Sequence, residues 1–227
     1  MYEYKNLLVD VADDGVVIVS INRPKVLNAL NMETLDEMKD CFVRLRRDPQ
    51  MKALILRGAG EKAFVAGSDL IAMSKMSAME ARKFSQTGHE VLNAIESLPV
   101  VVIGAINGYC LGGGCGLALA CDFRYASTTA KFGQPEVNYG IIPGFGGSQR
   151  LARLIGQGRA KEMIYSGAMI DAQEAYRVGL VNRVMMPEEL YEKCEEVCRK
   201  IMKKAPLAIA SAKDAINKGL SMDLDSG

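Results

Sequence analysis

Short apolar runs alternate with segments of helical periodicity in the first half of the chain. Residues 16–21 and 53–58 are β-branched and aliphatic runs that each end at a turn, and both predict buried strands. Between them, apolar residues recur at intervals of three and four, which predicts an amphipathic helix over about 32–46 with Asn31 as its cap. The apolar series consists of Leu35, Met38, Phe42 and Leu45.

The same alternation continues toward the middle of the chain. Ser77 and Glu80 have the spacing of a capping box and predict a helix over 77–97. Its predicted inward residues are Met79, Phe84, Val91, Leu92 and Ile95. A third buried strand is predicted at 100–106, and a short helix at 117–121 precedes a strand at 123–126. Strands that alternate with helices predict an α/β fold.

The C-terminal third is predicted to be almost wholly helical. The helices are expected at 147–155, at 158–166, between an Asp171 cap and Gly179, at 187–203 and at 206–218. No low-complexity linker separates these segments, so the chain is expected to form one globular domain with at most a small appendage.

Composition and charge exclude several classes of protein. The chain has 227 residues, 49% hydrophobic content and a mean hydropathy of +0.04, which is enough to bury a sizeable core. Its net charge is +1, from 28 basic and 27 acidic residues that are scattered along the chain, so we expect no nucleic-acid or membrane partner. The six cysteines lie mostly in apolar runs and Met1 opens no signal-like segment, which predicts a cytoplasmic protein.

Candidate chemistry lies in three glycine-rich loops. In the first, at 64–70, small residues would let a ligand approach the backbone, and the Ser68 N–H is a candidate oxyanion donor. In the second, at 107–114, glycines open a helix, and the Gly113 N–H is the other candidate. The third, at 132–147, carries Glu136, which is the natural proton carrier for enolate chemistry on a carbonyl.

Each of these motifs also has a purely structural explanation. A triple glycine alone is more often tight packing than an oxyanion hole, and a Gln-Pro-Glu turn alone is usually solvated. His89 is expected in the 77–97 helix, away from the loops, in a structural or surface role. Cys194 and Cys198 share a helix face but have no second ligand pair, so no metal site is expected, and Cys115 is expected to be a small buried hydrophobe.

Taken together and in order, the motifs resemble the enoyl-CoA hydratase/isomerase (crotonase) family, with the short-chain enoyl-CoA hydratases most similar. The resemblance covers nearly the whole chain and rests on segments 21–30, 66–69, 105–122, 132–136 and 142–150. It implies a crotonase-like spiral of ββα units over residues 1–186. It also implies a C-terminal helical region at 187–227 that builds homotrimers, or homohexamers from two trimers.

The resemblance also implies roles for individual residues. The amides of Ser68 and Gly113 would polarise the thioester carbonyl of an acyl-CoA, and Glu136 would transfer the proton. The substrate and its coenzyme A would lie along Ala66, Ser68, Asp69, Leu70 and Ile71, largely through backbone groups, with Lys25 near the nucleotide phosphates. No prosthetic group is implied, since coenzyme A is part of the substrate.

Gly116 departs from the family pattern. Hydratases of the family normally have a second catalytic glutamate at this position, twenty residues before Glu136. The nominal reaction is hydration of a 2-enoyl-CoA to a 3-hydroxyacyl-CoA. With Glu136 alone, isomerisation of 3-enoyl-CoA to 2-enoyl-CoA, or decarboxylation of an acyl-CoA, is the alternative. A catalytically weak CoA-binding or assembly subunit, or an engineered glutamate-to-glycine variant, also fits. The family usually continues beyond Leu224, so the C-terminal region is expected to be incomplete.

Overall fold

The computed structural model describes residues 2–226 and contains, within that range, ten strands and nine α-helices. The strands are Leu7–Val11 (β1), Val16–Ile21 (β2), Ala53–Gly58 (β3), Ala63–Val65 (β4), Val101–Ile106 (β5), Tyr109–Leu111 (β6), Phe123–Ser127 (β7), Lys131–Gly133 (β8), Met169–Asp171 (β9) and Arg183–Met185 (β10). The helices are Met32–Leu45 (α1), Leu70–Met73 (α2), Ala78–Glu96 (α3), Gly113–Leu119 (α4), Gly147–Ile155 (α5), Gln157–Ser166 (α6), Ala172–Arg177 (α7), Leu190–Met202 (α8) and Pro206–Gly219 (α9).

Two sheets organise the chain. The six-stranded sheet has the order β1-β2-β3-β5-β7-β10 and is parallel except for the β1-β2 pair. The four-stranded sheet has the order β4-β6-β8-β9 and is parallel except for β8-β9. Each pass of the chain adds one strand to the large sheet and then a short strand to the small one: β3 and β4, then β5 and β6, then β7 and β8. This repetition confirms the predicted α/β spiral.

Successive side chains of a strand point to opposite sides, and nearly all those of the inner strands β2, β3, β5 and β7 are buried, so both faces of the large sheet are covered there. In β3, Leu54 and Leu56 join the main core with α1 and α3. Ala53 and Ile55 face the other way and pack with Cys194 and Cys198 of α8. Helix α8 therefore completes the cover of the sheet, and this accounts for the burial of the cysteine pair.

Local signals located several helices correctly. The Asn31 side chain accepts a hydrogen bond from the Thr34 N–H at 2.9 Å and caps α1. The capping box of α3 is present, with the Ser77 N–H donating to Glu80 at 2.8 Å. The apolar series of α1 is buried as predicted.

The structure corrects other details. Met79 was predicted to face inward but is 72% exposed, since it lies in the first turn of α3. Thr87 and Gly88 are the additional buried residues of that helix. Helix α4 starts at Gly113 and not at Leu117. The three-residue strands β4, β6, β8, β9 and β10 were not predicted, and two of them interrupt the helical C-terminal third.

The last helix, α9, has no buried residue and is held mainly by polar contacts. Lys213 donates to the Val100 carbonyl at 3.1 Å and forms an ion pair with Asp122 at 3.0 Å. Its apolar side chains Leu207 and Ile216 are 81% and 63% exposed. None of the helices within residues 2–226 has the length and apolar character that crossing a bilayer would demand.

Candidate active site

A cavity of about 540 Å³ lies where the three glycine-rich loops meet. Five of the residues selected from the sequence line it, namely Ala66, Ser68, Leu70, Gly113 and Glu136. The other lining residues are mostly apolar and include Met73, Phe84, Leu111, Ile141, Ile142 and Phe145. The structure therefore brings the proposed amides and the carboxylate to one apolar site.

Main-chain pairing fixes the orientation of Ser68. Ser68 forms an isolated parallel bridge with Leu30, in which the Leu30 N–H donates to Gly67 and the Leu30 carbonyl accepts from Asp69, both at 2.8 Å. In a parallel bridge the central residue of the partner segment directs its own N–H away from the pairing. The Ser68 N–H therefore points away from Leu30, and it has no acceptor among the described residues.

Asp69 is occupied by contacts within the protein. Its N–H donates to Leu30, its carbonyl accepts from Met73, and its carboxylate accepts from Ala72 at the start of α2. The other carboxylate oxygen pairs with Arg23 at 3.2 Å. The Asp69 N–H is therefore not free to donate to coenzyme A, the contact predicted from the sequence, unless its bond to Leu30 breaks. Asp69 and Arg23 instead hold the loop that presents Ser68.

The glycine run places Gly113 beside Ser68. A Cβ built on Gly114 would lie 2.1 Å from the Val65 carbonyl oxygen, so only glycine allows α4 to start this close to β4. A Cβ on Gly113 would lie 3.2 Å from the Ser68 hydroxyl. The Gly113 N–H is at the first turn of α4 and has no acceptor within residues 2–226. The two amides without acceptors thus belong to neighbouring residues of the cavity wall, and one of them is at the positive end of a helix.

Glu136 lies on a 3-10 turn, Pro135–Tyr139, opposite the start of α4. It is half-buried, and burial raises the pKa of its carboxyl, although a hydrogen bond from its own backbone partly opposes this. With its amide nitrogen turned toward the carboxylate, Gln134 donates to the two Glu136 oxygens at 3.0 and 3.1 Å. A carboxylate with a raised pKa is suited to both accept and return a proton near neutral pH.

Gly116 lies on α4 but does not line the cavity. A Cβ at this position would lie 3.5 Å from Leu92 and 3.6 Å from both the Cβ and the carbonyl oxygen of Phe145. These are ordinary van der Waals distances, so the backbone has room for a side chain here. Among the cavity-lining residues, Glu136 is the only carboxylic acid.

Other predicted residues lie at the edge of the site or outside it. Lys25 is exposed on the turn Pro24–Val26, where it lines a separate, shallow depression of residues 22–26. Ile71 is 74% exposed on α2 and does not line the cavity. The placement of His89 away from the loops was wrong, because a Cβ on Gly146 would lie 3.2 Å from the His89 ring. The mistake arose because the fold, not the sequence, brings α3 against the third loop.

Two supporting residues were missed in the sequence. Gln134 stands two positions before Glu136 in the same motif, but its side-chain contact depends on a turn that periodicity does not show. Arg23 belongs to the 21–30 motif, where its basic side chain was not connected with Asp69. Cys115, in contrast, is buried as predicted, like the other five cysteines.

Comparison with known proteins agrees with the fold and the motif set. The family model described as enoyl-CoA hydratase/isomerase matches residues 12–227. A crotonyl-CoA hydratase of Syntrophomonas wolfei is 48% identical over 222 residues, which are 98% of this chain and 85% of that protein. A short-chain-enoyl-CoA hydratase of Clostridium acetobutylicum is 48% identical over 224 residues, 99% of this chain and 85% of that protein.

The structural match is equally extensive. The crystal structure of an enoyl-CoA hydratase from Bacillus anthracis superposes with a TM-score of 0.95 at 44% identity, covering 98% of this chain and 86% of that one. Family model, sequence relatives and fold therefore coincide over the same residues. The chain belongs to the enoyl-CoA hydratase/isomerase family of enzymes and has the crotonase fold.

Proposed function

We propose that this chain hydrates a 2-enoyl-CoA to a 3-hydroxyacyl-CoA through an enolate held by the amides of Ser68 and Gly113. The observation that carries the proposal is the meeting of two amides without acceptors and one half-buried carboxylate in an apolar cavity. The printed names of the relatives, a crotonyl-CoA hydratase and a short-chain-enoyl-CoA hydratase, support the reaction and a short acyl group. No prosthetic group takes part in this chemistry.

The two amides act on the thioester carbonyl. The carbonyl oxygen would lie between the N–H groups of Ser68 and Gly113. Negative charge that develops on this oxygen is then stabilised by donors that are already oriented. Loss of one such donor costs about 3 kcal/mol of transition-state stabilisation. The apolar lining strengthens these bonds because it lowers the local dielectric constant.

Glu136 would move one proton in two steps. Ionised Glu136 takes a proton from water as the water oxygen bonds to C3, and the electrons of the C2–C3 double bond pass into the enolate. The protonated carboxyl then returns this proton to C2, which regenerates the carboxylate. The atoms balance with one carboxylate, but the same group must serve first water and then carbon, so hydration is expected to be slow.

Isomerisation of a 3-enoyl-CoA is the second candidate, and Gly116 is the observation that favours it. Glu136 would take a proton from C2, the amides would hold the dienolate, and the same carboxyl would deliver the proton to C4. No water has to be activated, so a second carboxylate at position 116 is not required. Decarboxylation uses the same enolate, but no cavity-lining residue specifically favours it.

The binding of coenzyme A and the assembly state complete the proposal. Lys25 would lie near the nucleotide phosphates. Leu70, which lines the cavity, and the exposed Ile71 that follows it on α2 would contact the coenzyme. Exposed apolar residues of α9, such as Leu207, support assembly into trimers or hexamers. The division at residue 186 and the cytoplasmic location stay predictions.

The test separates enolate formation from hydration. The protein is incubated with butyryl-CoA in deuterium oxide, and deuterium at C2 is followed by mass spectrometry. Hydration of crotonyl-CoA and isomerisation of 3-hexenoyl-CoA are assayed in parallel. Glu136→Gln is compared with Glu188→Gln, which changes an exposed glutamate on the protein surface.

We expect exchange in the wild type and in Glu188→Gln, and loss of exchange by at least about a hundredfold in Glu136→Gln. Exchange with isomerisation but little hydration would select the second candidate. Binding of acyl-CoA without exchange or turnover in any assay would overturn the enzymatic proposal and favour a CoA-binding subunit.

A further inference from the structure

Gln134 is a buried amide in direct contact with the proposed proton carrier. It is 1% exposed, and its amide group can donate to both oxygens of Glu136 at 3.0 and 3.1 Å. In this orientation the amide oxygen, on the other side, faces a hydrogen-bond donor, so both ends of the amide are satisfied. A buried polar group strongly favours the orientation that satisfies it, so the state of Glu136 determines how this amide is turned.

No charged side chain competes with Gln134 for Glu136 in the cavity. Tyr139, on the same 3-10 turn, is the only other titratable residue that lines it. Helix α6 packs against this turn, and His89 of α3 lies against the third loop at Gly146. The titratable side chains of α6 are all exposed; they are Arg159, Lys161, Glu162 and Tyr165. The Gln134 amide is therefore the neutral group that donates hydrogen bonds to the Glu136 carboxylate.

An amide has a property that a fixed donor lacks. Its nitrogen donates to an ionised carboxylate, and after a half-turn about Cγ–Cδ its oxygen accepts from a protonated carboxyl. The terminal torsion of glutamine is broad and roughly two-fold, so the half-turn needs no other movement of the side chain, although it directs the amide nitrogen toward the donor on the other side. The group can thus satisfy Glu136 before and after the proton is transferred.

We propose that Gln134 is a positioning residue whose amide turns with the protonation state of Glu136. The nitrogen faces the carboxylate while Glu136 acts as base, and the oxygen faces the carboxyl once it carries the proton. The inference rests on the proposed function in one respect, that Glu136 gains and loses the proton during catalysis. It assigns to Gln134 the task of keeping one carboxyl oriented in both halves of the reaction.

Gly147 provides the space for this amide. With the amide nitrogen toward Glu136, a Cβ built on Gly147 would lie 2.4 Å from the Gln134 oxygen and 3.0 Å from its nitrogen. The end of the Gln134 side chain, not the backbone, would have to move away. Gly147→Ala therefore displaces the amide without changing Gln134 or Glu136, which gives an independent way to break the contact.

The test uses nuclear magnetic resonance on the free protein, so that it does not depend on turnover. The carboxyl carbon of Glu136 and the side-chain amide of Gln134 are followed from pH 4 to pH 9. Glu136→Gln and Gln134→Leu identify the two signals by their absence. Gln134→Leu and Gly147→Ala are the test variants, and Gln173→Leu on the exposed side of α7 is the matched control.

We expect the Gln134 amide signals to change with the same midpoint as the Glu136 carboxyl. In Gln134→Leu this midpoint moves up by about one pH unit, because the ionised form loses its donor. Gly147→Ala moves it in the same direction, whereas Gln173→Leu leaves it unchanged. If turnover is measurable, the acidic limb of kcat/KM shifts with the midpoint.

A Gln134 amide signal that does not respond to pH, or a Glu136 midpoint that is unchanged in both test variants, would overturn the inference. These results are distinct from failure of the proposed function. If the two groups titrate together but deuterium exchange into butyryl-CoA is absent, the contact stands and the enzymatic role of Glu136 does not.

Discussion

Phe145 lies where a side chain at Gly116 would begin: a Cβ on Gly116 would be 3.6 Å from the Phe145 Cβ and 3.6 Å from its carbonyl oxygen. Phe145 is 4% exposed, and its ring packs on that of Phe84 with a centroid distance of 5.3 Å. Position 116 is thus not blocked by backbone, although it does not itself line the cavity. A side chain there would lie beside Phe145, which does line the cavity.

Substitutions at Gly116 test this geometry. Gly116→Ala is expected to stabilise the protein by about 0.5 to 1 kcal/mol, because alanine is favoured over glycine inside a helix and meets only ordinary contacts. Gly116→Glu is expected to raise crotonyl-CoA hydration at least about tenfold, whereas Gly116→Gln, of equal size but without a basic oxygen, is not. Urea unfolding and initial rates measure the two effects. Equal rates in the Glu and Gln variants would contradict the assignment of a water-activating role.

A methyl group at Gly114 should be far more harmful. It would lie 2.1 Å from the Val65 carbonyl oxygen, and a main-chain atom cannot move away without shifting β4. We expect Gly114→Ala to lower the free energy of unfolding by about 3 kcal/mol or more. Gly158→Ala is the matched control, since a Cβ on that helical glycine meets nothing within 4 Å. Similar unfolding midpoints for the two variants would contradict the close approach of α4 and β4.

Removal of the Glu136 charge should stabilise the protein at neutral pH. Burial raises the folded-state pKa above the ordinary value of 4.5, so between these two pKa values the folded state holds more protons than the unfolded state. Stability therefore falls as the pH rises through this window and stays lower above it. Glu136→Gln avoids this loss.

The expected gain in Glu136→Gln is up to about 1 kcal/mol at pH 7, since solvent screens part of the effect. The gain should vanish below pH 4.5, where the carboxyl is protonated in both states. Urea unfolding from pH 4 to pH 8, with Glu188→Gln as control, measures it. If Glu136→Gln were less stable than the wild type at pH 7, ionised Glu136 would not lower the free energy of unfolding, and the prediction would be wrong.

The ion pair between Lys213 and Asp122 should anchor α9. Desolvation raises the pKa of Asp122, and Lys213 opposes this. Lys213→Met leaves the carboxylate without its cation and is expected to cost about 2 kcal/mol at pH 7. The loss should shrink as the pH falls and Asp122 becomes protonated.

Lys218→Met is the control for this pair, because Lys218 pairs with Asp214 at the exposed surface of the same helix. Surface pairs of this kind contribute little. Hydrogen exchange of the α9 amides measures the local effect. Equal protection in the two variants would show that α9 is held by other contacts.

Features that depend on neighbours in sequence could be predicted, and those that depend on distant contacts could not. Asn31 and Ser77 cap their helices through residues three positions away, so the sequence shows both partners. Strands β6 and β8 have only three residues each and exist because they pair with each other, which leaves no periodic signal. The lengths of such strands are below what alternation can identify.

The candidate site shows the same division. Ser68, Gly113 and Glu136 could be selected because each belongs to a dense local motif, and the structure brings them to one cavity. The contacts of Gln134 with Glu136 and of His89 with the third loop depend on how turns and helices pack. Neither could be read from spacing along the chain.

The close approach of Gly114 to Val65 has a consequence for how this enzyme can change during evolution. The spacing of the Ser68 and Gly113 amides is set by peptide groups of two packed segments, and peptide groups are the same whatever the surrounding side chains. Substitutions among the side chains that line the cavity can therefore change its shape and charge while these two amides keep their places. A residue exchange at position 116, which has room for a side chain, thus need not disturb the backbone that places the two amides.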